Sequence, residues 1–256
     1  MRRLDAGESP PWIVSNPGAE SPFVLLGDHA GRIVPLWLTD LGLPPAEMDR
    51  HIAWDIGVAG LGEKLSAALH AVFIRQRFSR LVIDCNRDPE SPGAIPPVSD
   101  GTAIPGNAEL EPAERQARID LIAAPYQARI AAELDARAAR GLRTVLISLH
   151  SFTPRMDGLD RPWRFGVLHA GDSPFSLAVL ARLRAEPDLG PDLVGDNQPY
   201  SMDGTDFTVP HHAGPRGLDY LEIEVRQDLL ADPEGQGLVA RRLARILPLA
   251  WSDTRP

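Results

Sequence analysis

The most continuous apolar run of the chain is Thr144-Val-Leu-Ile-Ser-Leu-His150, which stops on a histidine and breaks into Ser151-Phe-Thr-Pro154. A short apolar run bounded by turn formers predicts a strand covered on both faces, because neither side alternates with polar residues. Phe23-Val-Leu-Leu-Gly27, Ala71-Val-Phe-Ile74, Arg80-Leu-Val-Ile-Asp84 and Arg164-Phe-Gly-Val-Leu168 have the same character. Asp219-Tyr-Leu-Glu-Ile-Glu-Val-Arg226 is a strand of a different kind. Its two-residue period puts Leu221, Ile223 and Val225 on one face and Glu222, Glu224 and Arg226 on the other.

Between these runs the spacing turns helical. Ile56, Leu61, Leu65 and Leu69 predict a helix from Asp55 to His70 with Asp55 in its first turn. Ile119, Ile122, Tyr126, Ile130 and Leu134 form one stripe of a helix from Ala113 to Arg140, which Pro125 should kink or split and Gly141 should stop. Further helices are expected from Ser173 to Ala185 and from about Glu234 to Leu249. Residues 1–22 read as a Pro-rich surface arm. Residues 89–112 and 195–217 show no periodicity and are too long for ordinary connections, which marks them as candidate active-site loops. No internal repeat or linker divides the chain. The expected architecture is one α/β domain over residues 1–256, a mixed, mostly parallel sheet with helices on both faces.

Composition narrows the classes. The chain has 256 residues, enough for a sizeable core, and a net charge of −9 that lacks the basic footprint of a nucleic-acid binder. No apolar run approaches the roughly 18 residues of a membrane span. Cys85 is the only cysteine, which excludes an internal disulfide and suits a reducing, cytoplasmic setting. Nothing in the pattern speaks to oligomeric state.

Three of the expected strands end in polar groups: His29 after the first, Asn86-Arg87 after Asp84-Cys85, and His150. In a mostly parallel sheet such groups converge on one rim, where ligands collect. Two histidines with a carboxylate form a common catalytic zinc set that leaves a position for water or substrate. Asp55 is the nearest carboxylate, although an aspartate at a helix start also caps backbone amides without any metal. The plainer reading of His29 and His150 is a structural histidine satisfied by hydrogen bonds, and His51 reads as a loop-packing residue. Charges in mid-strand are costly unless paired or facing a cavity, so one of Glu222 and Glu224 is expected to face the site as a general base, with a Glu–Arg226 pair as the structural alternative. Asn86-Arg87 suits a clamp on a substrate carboxylate, unless Arg87 only pairs with Asp84 or Asp88. His211-His212 and Tyr200 lie in the second irregular loop. Cys85 reads as a packing residue. No Gly-x-Ser-x-Gly elbow, Walker loop or dinucleotide loop is present.

Taken in order, Asp28-His29-Ala-Gly-Arg-Ile-Val-Pro35, His51-Ile-Ala-Trp-Asp55, Leu81-Val-Ile-Asp-Cys-Asn86-Arg87-Asp-Pro89, Ser148-Leu-His150-Ser-Phe and Glu222-Ile-Glu224-Val-Arg226-Gln-Asp-Leu229 resemble the N-formylglutamate amidohydrolase family, from about Pro22 to Leu230. That family is similar in fold to the zinc carboxypeptidases and aspartoacylases. The resemblance implies a bacterial enzyme of amino acid catabolism that cleaves the N-formyl or N-acyl amide of a small amino acid with a free carboxylate. It implies one zinc ion held by His29 and His150, a metal-activated water, a last-strand glutamate as base (Glu224, with Glu222 the other candidate) and Asn86-Arg87 as the carboxylate grip. Zinc carboxypeptidases place a ligand glutamate three residues after the first histidine. Here that position is Arg32, and Asp55 is expected to fill the role. Arg80 or His212 would stabilise the oxyanion, and Tyr200 and Arg226 are the remaining substrate-side candidates. N-formyl-L-glutamate is the first substrate to expect, with another N-acyl amino acid or small amide, or a non-catalytic carboxylate-binding role, as alternatives.

Overall fold

Val145–Phe152, all eight residues buried, is the spine of the molecule. The computed structural model describes residues 9–171, 173–202 and 204–254, so the first eight residues of the expected arm and Asp203 of the second loop lie outside the described residues. Seven strands form the main sheet: β1 (Trp12–Ser15), β2 (Phe23–Gly27), β3 (Val72–Gln76), β4 (Val145–Phe152), β5 (Phe165–Leu168), β6 (Val194–Asp196) and β7 (Asp219–Arg226). Their spatial order is β1-β3-β2-β4-β7-β5-β6. The central strands β3, β2, β4 and β7 run parallel, β1 is antiparallel to β3, and β5, itself parallel to β6, is antiparallel to β7. This is the mixed, mostly parallel sheet that the alternation of runs predicts.

The helices are α1 (Val58–Leu69), α2 (Pro112–Arg118), α3 (Ala124–Ala139), α4 (Pro174–Arg184), α5 (Thr208–Ala213) and α6 (Pro233–Asp253). Residues of α1, α4 and α6, among them Leu61, Leu65, Val179, Leu183, Leu243 and Leu247, pack with Leu25, Ile147, Leu149, Leu221, Ile223 and Val225 in one core. On the other face Val24, Leu26, Ile74 and Leu146 meet Tyr126, Ile130 and Leu134 of α3. Full burial of each such aliphatic side chain contributes roughly 1.5–3 kcal/mol, before the entropy cost of ordering it. The period of two then has a functional consequence. The face of β4 that begins with Leu146 continues with Ser148 and His150, and that of β7 continues with Glu222 and Glu224, so this face changes from apolar to polar towards the carboxyl ends of both strands.

Several elements differ from the sequence pattern. The arm is not merely surface cover: Trp12–Ser15 pairs with Phe73–Gln76 and occupies the outer edge of β3. Arg80–Asp84 is no strand. Its apolar residues are buried, but their backbone groups are satisfied locally, with Val82 N donating to Ser79 O at 2.9 Å. Side chains complete the job, as Asn107 Nδ2 donates to Leu81 O and Arg118 Nη1 to Val82 O, each at 2.9 Å. An apolar run alone does not tell a buried turn from a buried strand. Residues 195–217 likewise contain ordered pieces, since strand β6 overlaps their start and α5 holds His211 and His212. The closing helix runs past Pro248 to Asp253.

The break at Pro125 takes the form of a π-helical turn, Ile119–Ala123, between α2 and α3. Proline removes an amide from the ladder, and the wider turn absorbs the loss. Gly141 ends α3 at φ +68°, donating to Ala138 O at 2.9 Å. Among the described residues no helix is long and apolar enough to cross a membrane.

Gly62 of α1 is where helix and sheet approach most tightly. A Cβ there would lie 2.2 Å from the ring of Phe73, which is fully buried on β3. Gly62→Ala is therefore expected to destabilise the fold by about 1–3 kcal/mol despite alanine's better helix propensity. Urea unfolding should show a lower midpoint at unchanged slope.

Candidate active site

His29, Asp55 and His150 are brought to one point by three different devices. His29 follows β2 in a tight turn closed by Ala30 N donating to Gly27 O at 3.3 Å, and its neighbour Asp28 is pinned by Tyr126 Oη at 2.7 Å. His150 does not end its strand, because β4 continues to Phe152; its side chain points off the polar face. Asp55 is not in a helix turn either, for α1 starts only at Val58. It is tied in place by its own amide, which donates to His29 O at 2.9 Å. Its Oδ2 also receives the Ser151 amide at 3.2 Å.

The three side chains are almost wholly buried, and one ligand atom from each lies within 4.8 Å of the others. His150 Nδ1 is 3.0 Å from Asp55 Oδ2, and His29 Nδ1 is 3.5 Å from the same oxygen. The far side of each ring is held as well: His29 Nε2 lies 2.7 Å from Asp84 Oδ1 and His150 Nε2 2.9 Å from Ser148 Oγ. Arg80 spans the two aspartates, reaching Asp84 Oδ2 at 2.6 Å and Asp55 Oδ1 at 3.4 Å.

Charge in this cluster is unbalanced towards the negative. Burial and Arg80 oppose protonation of His29, yet Asp84 and Asp55 outweigh them and its pKa is raised. Burial opposes a charge on His150 too, but the hydrogen bond to Asp55 and the charges of Glu222 and Glu224 hold it well above the usual value. For Asp55 burial acts upward and is overcome by both imidazoles, so its carboxyl falls below the ordinary range. The surroundings thus draw a positive charge to the imidazoles. A divalent ion fits the same place: two imidazole nitrogens and a carboxylate oxygen are a zinc-type donor set. His29 Nδ1 is buried with no hydrogen-bond partner among the described residues. A carboxylate behind one ring and a hydroxyl behind the other orient both lone pairs inward.

Beside this cluster stand Glu222 and Glu224, opposite Ser148 and His150 in the register of β7 on β4. Both are buried, and Oε2 of each lacks a hydrogen-bond partner among the described residues. Burial pushes both carboxyls above their ordinary range, against the pull of His150. Glu222 Oε1 lies 3.9 Å from His150 Nε2, on the outer side of that ring. Glu224, one pleat nearer the strand end, interacts instead with Asp55, His29 and Arg80 as well as His150.

His29, Asp55, Arg80, Asp84, His150, Glu222 and Glu224 line one cavity of about 570 Å³, together with Asn86, Arg87, Tyr200, Thr205, Asp206 and, from the 89–112 segment, Pro96, Val98 and Asp100. Asn86 anchors the loop above it: its Oδ1 accepts from the amides of Phe207 and Thr208 at 3.1 and 2.9 Å. Arg87 Nη1 contacts Asp206 Oδ1 at 3.3 Å and Thr205 O at 3.1 Å, so it pairs with neither Asp84 nor Asp88. His212 and Arg226 stand apart. His212 is fully buried beside α3, its Nε2 2.7 Å from Gln127 Oε1, and burial with His211 depresses its pKa to about 4. Arg226 pairs with Asp228 at 2.8 Å and not with Glu222 or Glu224. Neither lines the cavity. Arg32 is half-exposed and bound to Asp49, away from the cluster. His51 lines the cavity, 3.8 Å from Asp100. Cys85 is buried and bonded by Gln76 Nε2.

Sequence reading passes over Asp84 and Ser148. Both carry weak signals, one as a carboxylate ending an apolar run and the other as a hydroxyl two residues before His150 on the same strand face.

Residues 21–231 match the family model for N-formylglutamate amidohydrolase. A gene product of Agrobacterium tumefaciens of known structure is 37% identical, with a TM-score of 0.94 over 98% of this chain and 99% of that one. An N-formylglutamate amidohydrolase from Ralstonia eutropha JMP134 shares the fold at 22% identity, with a TM-score of 0.68 over 95% and 98% of the two chains. Among curated proteins, none matches. With the family pattern spanning every strand of the sheet that bears a site residue, the chain belongs to the N-formylglutamate amidohydrolase family.

Proposed function

We propose that the protein is a zinc-dependent amidohydrolase that removes the N-formyl, or another N-acyl, group from an amino acid, N-formyl-L-glutamate being the first substrate to test. The observation that carries this reading is the buried His29–Asp55–His150 cluster in one cavity with two glutamates whose Oε2 atoms have no hydrogen-bond partner among the described residues. His29, Asp55 and His150 would hold the zinc, which when bound would supply Lewis acidity to the scissile carbonyl and lower the pKa of water there.

The protein's own groups do the rest. Glu224 takes the proton of the attacking water as its oxygen adds to the acyl carbon, then returns that proton to the amide nitrogen as the C–N bond breaks, so that formate and a free amine leave. Burial raises the Glu224 carboxyl above its ordinary range, which makes it a stronger base than an exposed glutamate. Arg80 spends its donors on Asp55 and Asp84, so it serves first to hold the ligand carboxylate and only its remaining field reaches the oxyanion. Arg87, with Asn86 fixing its loop, binds the amino acid carboxylate. His212, buried on Gln127, and Arg226, bound to Asp228, take no part in this scheme. The setting is cytoplasmic.

The test is metal content together with release of formate and amine from a panel of N-formyl and N-acetyl amino acids. About one equivalent of zinc and turnover of at least one panel member are expected. A protein without stoichiometric metal that releases no amine overturns the reading. Asp84→Asn tests the support behind His29: it should weaken zinc binding by roughly 10–100-fold, measured by competition with a chelating dye, because the carboxylate that fixes the ring tautomer is gone.

A further inference from the structure

Each aspartate in the wall of the cavity already has a cation beside it. Arg80 reaches Asp84 at 2.6 Å and Asp55 at 3.4 Å, Arg87 contacts Asp206 at 3.3 Å, and Arg50 Nη2 binds Asp100 at 2.7 Å. Among the described residues that line the cavity, Arg80 and Arg87 are the arginines and there is no lysine. His51 faces Asp100 at 3.8 Å, and burial lowers its pKa, so it brings no positive charge near neutral pH. Arg161 donates to Tyr200 Oη and Thr153 Oγ1 and is not part of the wall. His29 and His150 belong to the proposed metal cluster. Once that cluster takes the acyl carbonyl and Arg87 the α-carboxylate, the wall holds no further cation.

Much of the remaining wall is apolar: Ile52, Leu81, Val98, Phe152, Met156 and Leu168 contribute to it. Val98 belongs to a small hairpin in which Val98–Ser99 pairs with Thr102–Ala103, and it is 56% exposed, so its apolar surface is open to whatever enters. Arg50 ties that hairpin down through Thr102 Oγ1 and Asp100. The cavity, at about 570 Å³, has room for a side chain beyond an N-formyl group and an amino acid backbone. A carboxylate entering that space gives up water and meets other carboxylates without a cation to receive it, which is costly. An apolar side chain of the same length gains by leaving water. A cationic one finds the four aspartates already paired and the two glutamates beside the proposed metal cluster.

Resting on the hydrolase reading, we infer that the substrate carries one carboxylate, taken by Arg87, and an uncharged, apolar side chain that lies against the wall containing Val98. The substrate class is then an N-acyl amino acid of the apolar type and not a dicarboxylate. Selection comes from the wall itself, which offers apolar contact and no partner for a second negative charge.

The experiment compares kcat/KM of the zinc-supplemented protein for N-formyl-L-methionine, N-formyl-L-glutamate and N-formyl-L-lysine. The first two have side chains of similar length and differ in the charge at the end. The wild type should prefer the methionine compound over each of the others by roughly tenfold or more. Val98→Arg adds a guanidinium at an exposed position of the wall and should cut the preference over glutamate by about tenfold, mainly through KM. Val98→Gln, polar but neutral, should leave most of that preference in place. A wild type that favours the glutamate or lysine compound, or that shows no preference, overturns the inference, and so does a preference unmoved in Val98→Arg. If none of the three is hydrolysed, the hydrolase reading falls and calorimetric binding of the same compounds decides the subsite. Tightest binding of the methionine compound then keeps the inference, and any other order removes it.

Discussion

Replacing His150 with alanine should remove zinc and reduce amide hydrolysis by at least about 10³-fold, the scale expected when the centre that polarises the carbonyl is lost. The side chain is central in three respects. Its Nδ1 lies 3.0 Å from Asp55 Oδ2, its Nε2 is held by Ser148 Oγ at 2.9 Å, and it is almost fully buried. Truncation therefore deletes one donor and leaves Asp55 with a weaker hold. It also opens a cavity beside a buried carboxylate, which costs stability by itself. His150→Gln is the control for folding, since it keeps most of the volume and a polar end but not the imidazole nitrogen. Zinc content by atomic absorption and formate release are the two readouts. Both variants should lose both, with His150→Gln closer to the wild type in thermal unfolding. Retention of stoichiometric zinc together with turnover in either variant would mean that His150 is no ligand.

Glu224→Gln should lower kcat by roughly 10²–10⁴-fold, the range of a lost general acid–base group, while zinc stays bound. The amide fills the volume of the carboxyl but accepts no proton from water. Because the residue binds substrate weakly if at all in this scheme, KM should change much less than kcat. Glu222→Gln serves as the contrast. Glu222 sits 3.9 Å from the outer nitrogen of His150, so its loss should act on the orientation of that ring and on zinc affinity more than on the proton transfer. The reverse pattern, with zinc lost in Glu224→Gln and kcat falling mainly in Glu222→Gln, would exchange the two roles.

Much of this site is legible in the chain because period-two alternation is local. Once β4 and β7 are recognised as strands, Ser148 and His150 share one face and Glu222 and Glu224 share another, whatever the rest of the molecule does. Run length and apolar content likewise predict β2, β3 and α3 and the interruption at Pro125, since proline removes its amide in any context. The same reasoning fails at Arg80–Asp84. There an apolar run is buried without a ladder because Asn107 and Arg118, distant in sequence, supply its hydrogen bonds, and because Trp12–Ser15 already covers the edge of β3.

What the sequence by itself determined is therefore most of the strands and helices, the mixed, mostly parallel sheet and the residue types that meet at its rim. Only the tertiary structure decided which of those residues touch. It put Asp55 against two imidazoles by a backbone hydrogen bond to His29, set Asp84 and Ser148 behind the rings, and took His212 and Arg226 away from the cavity. The reason is the range of the forces. Strand and helix patterns come from neighbours a few positions apart, whereas a hydrogen bond or ion pair between residues 26, 55 or 95 positions apart exists only when the whole chain has packed.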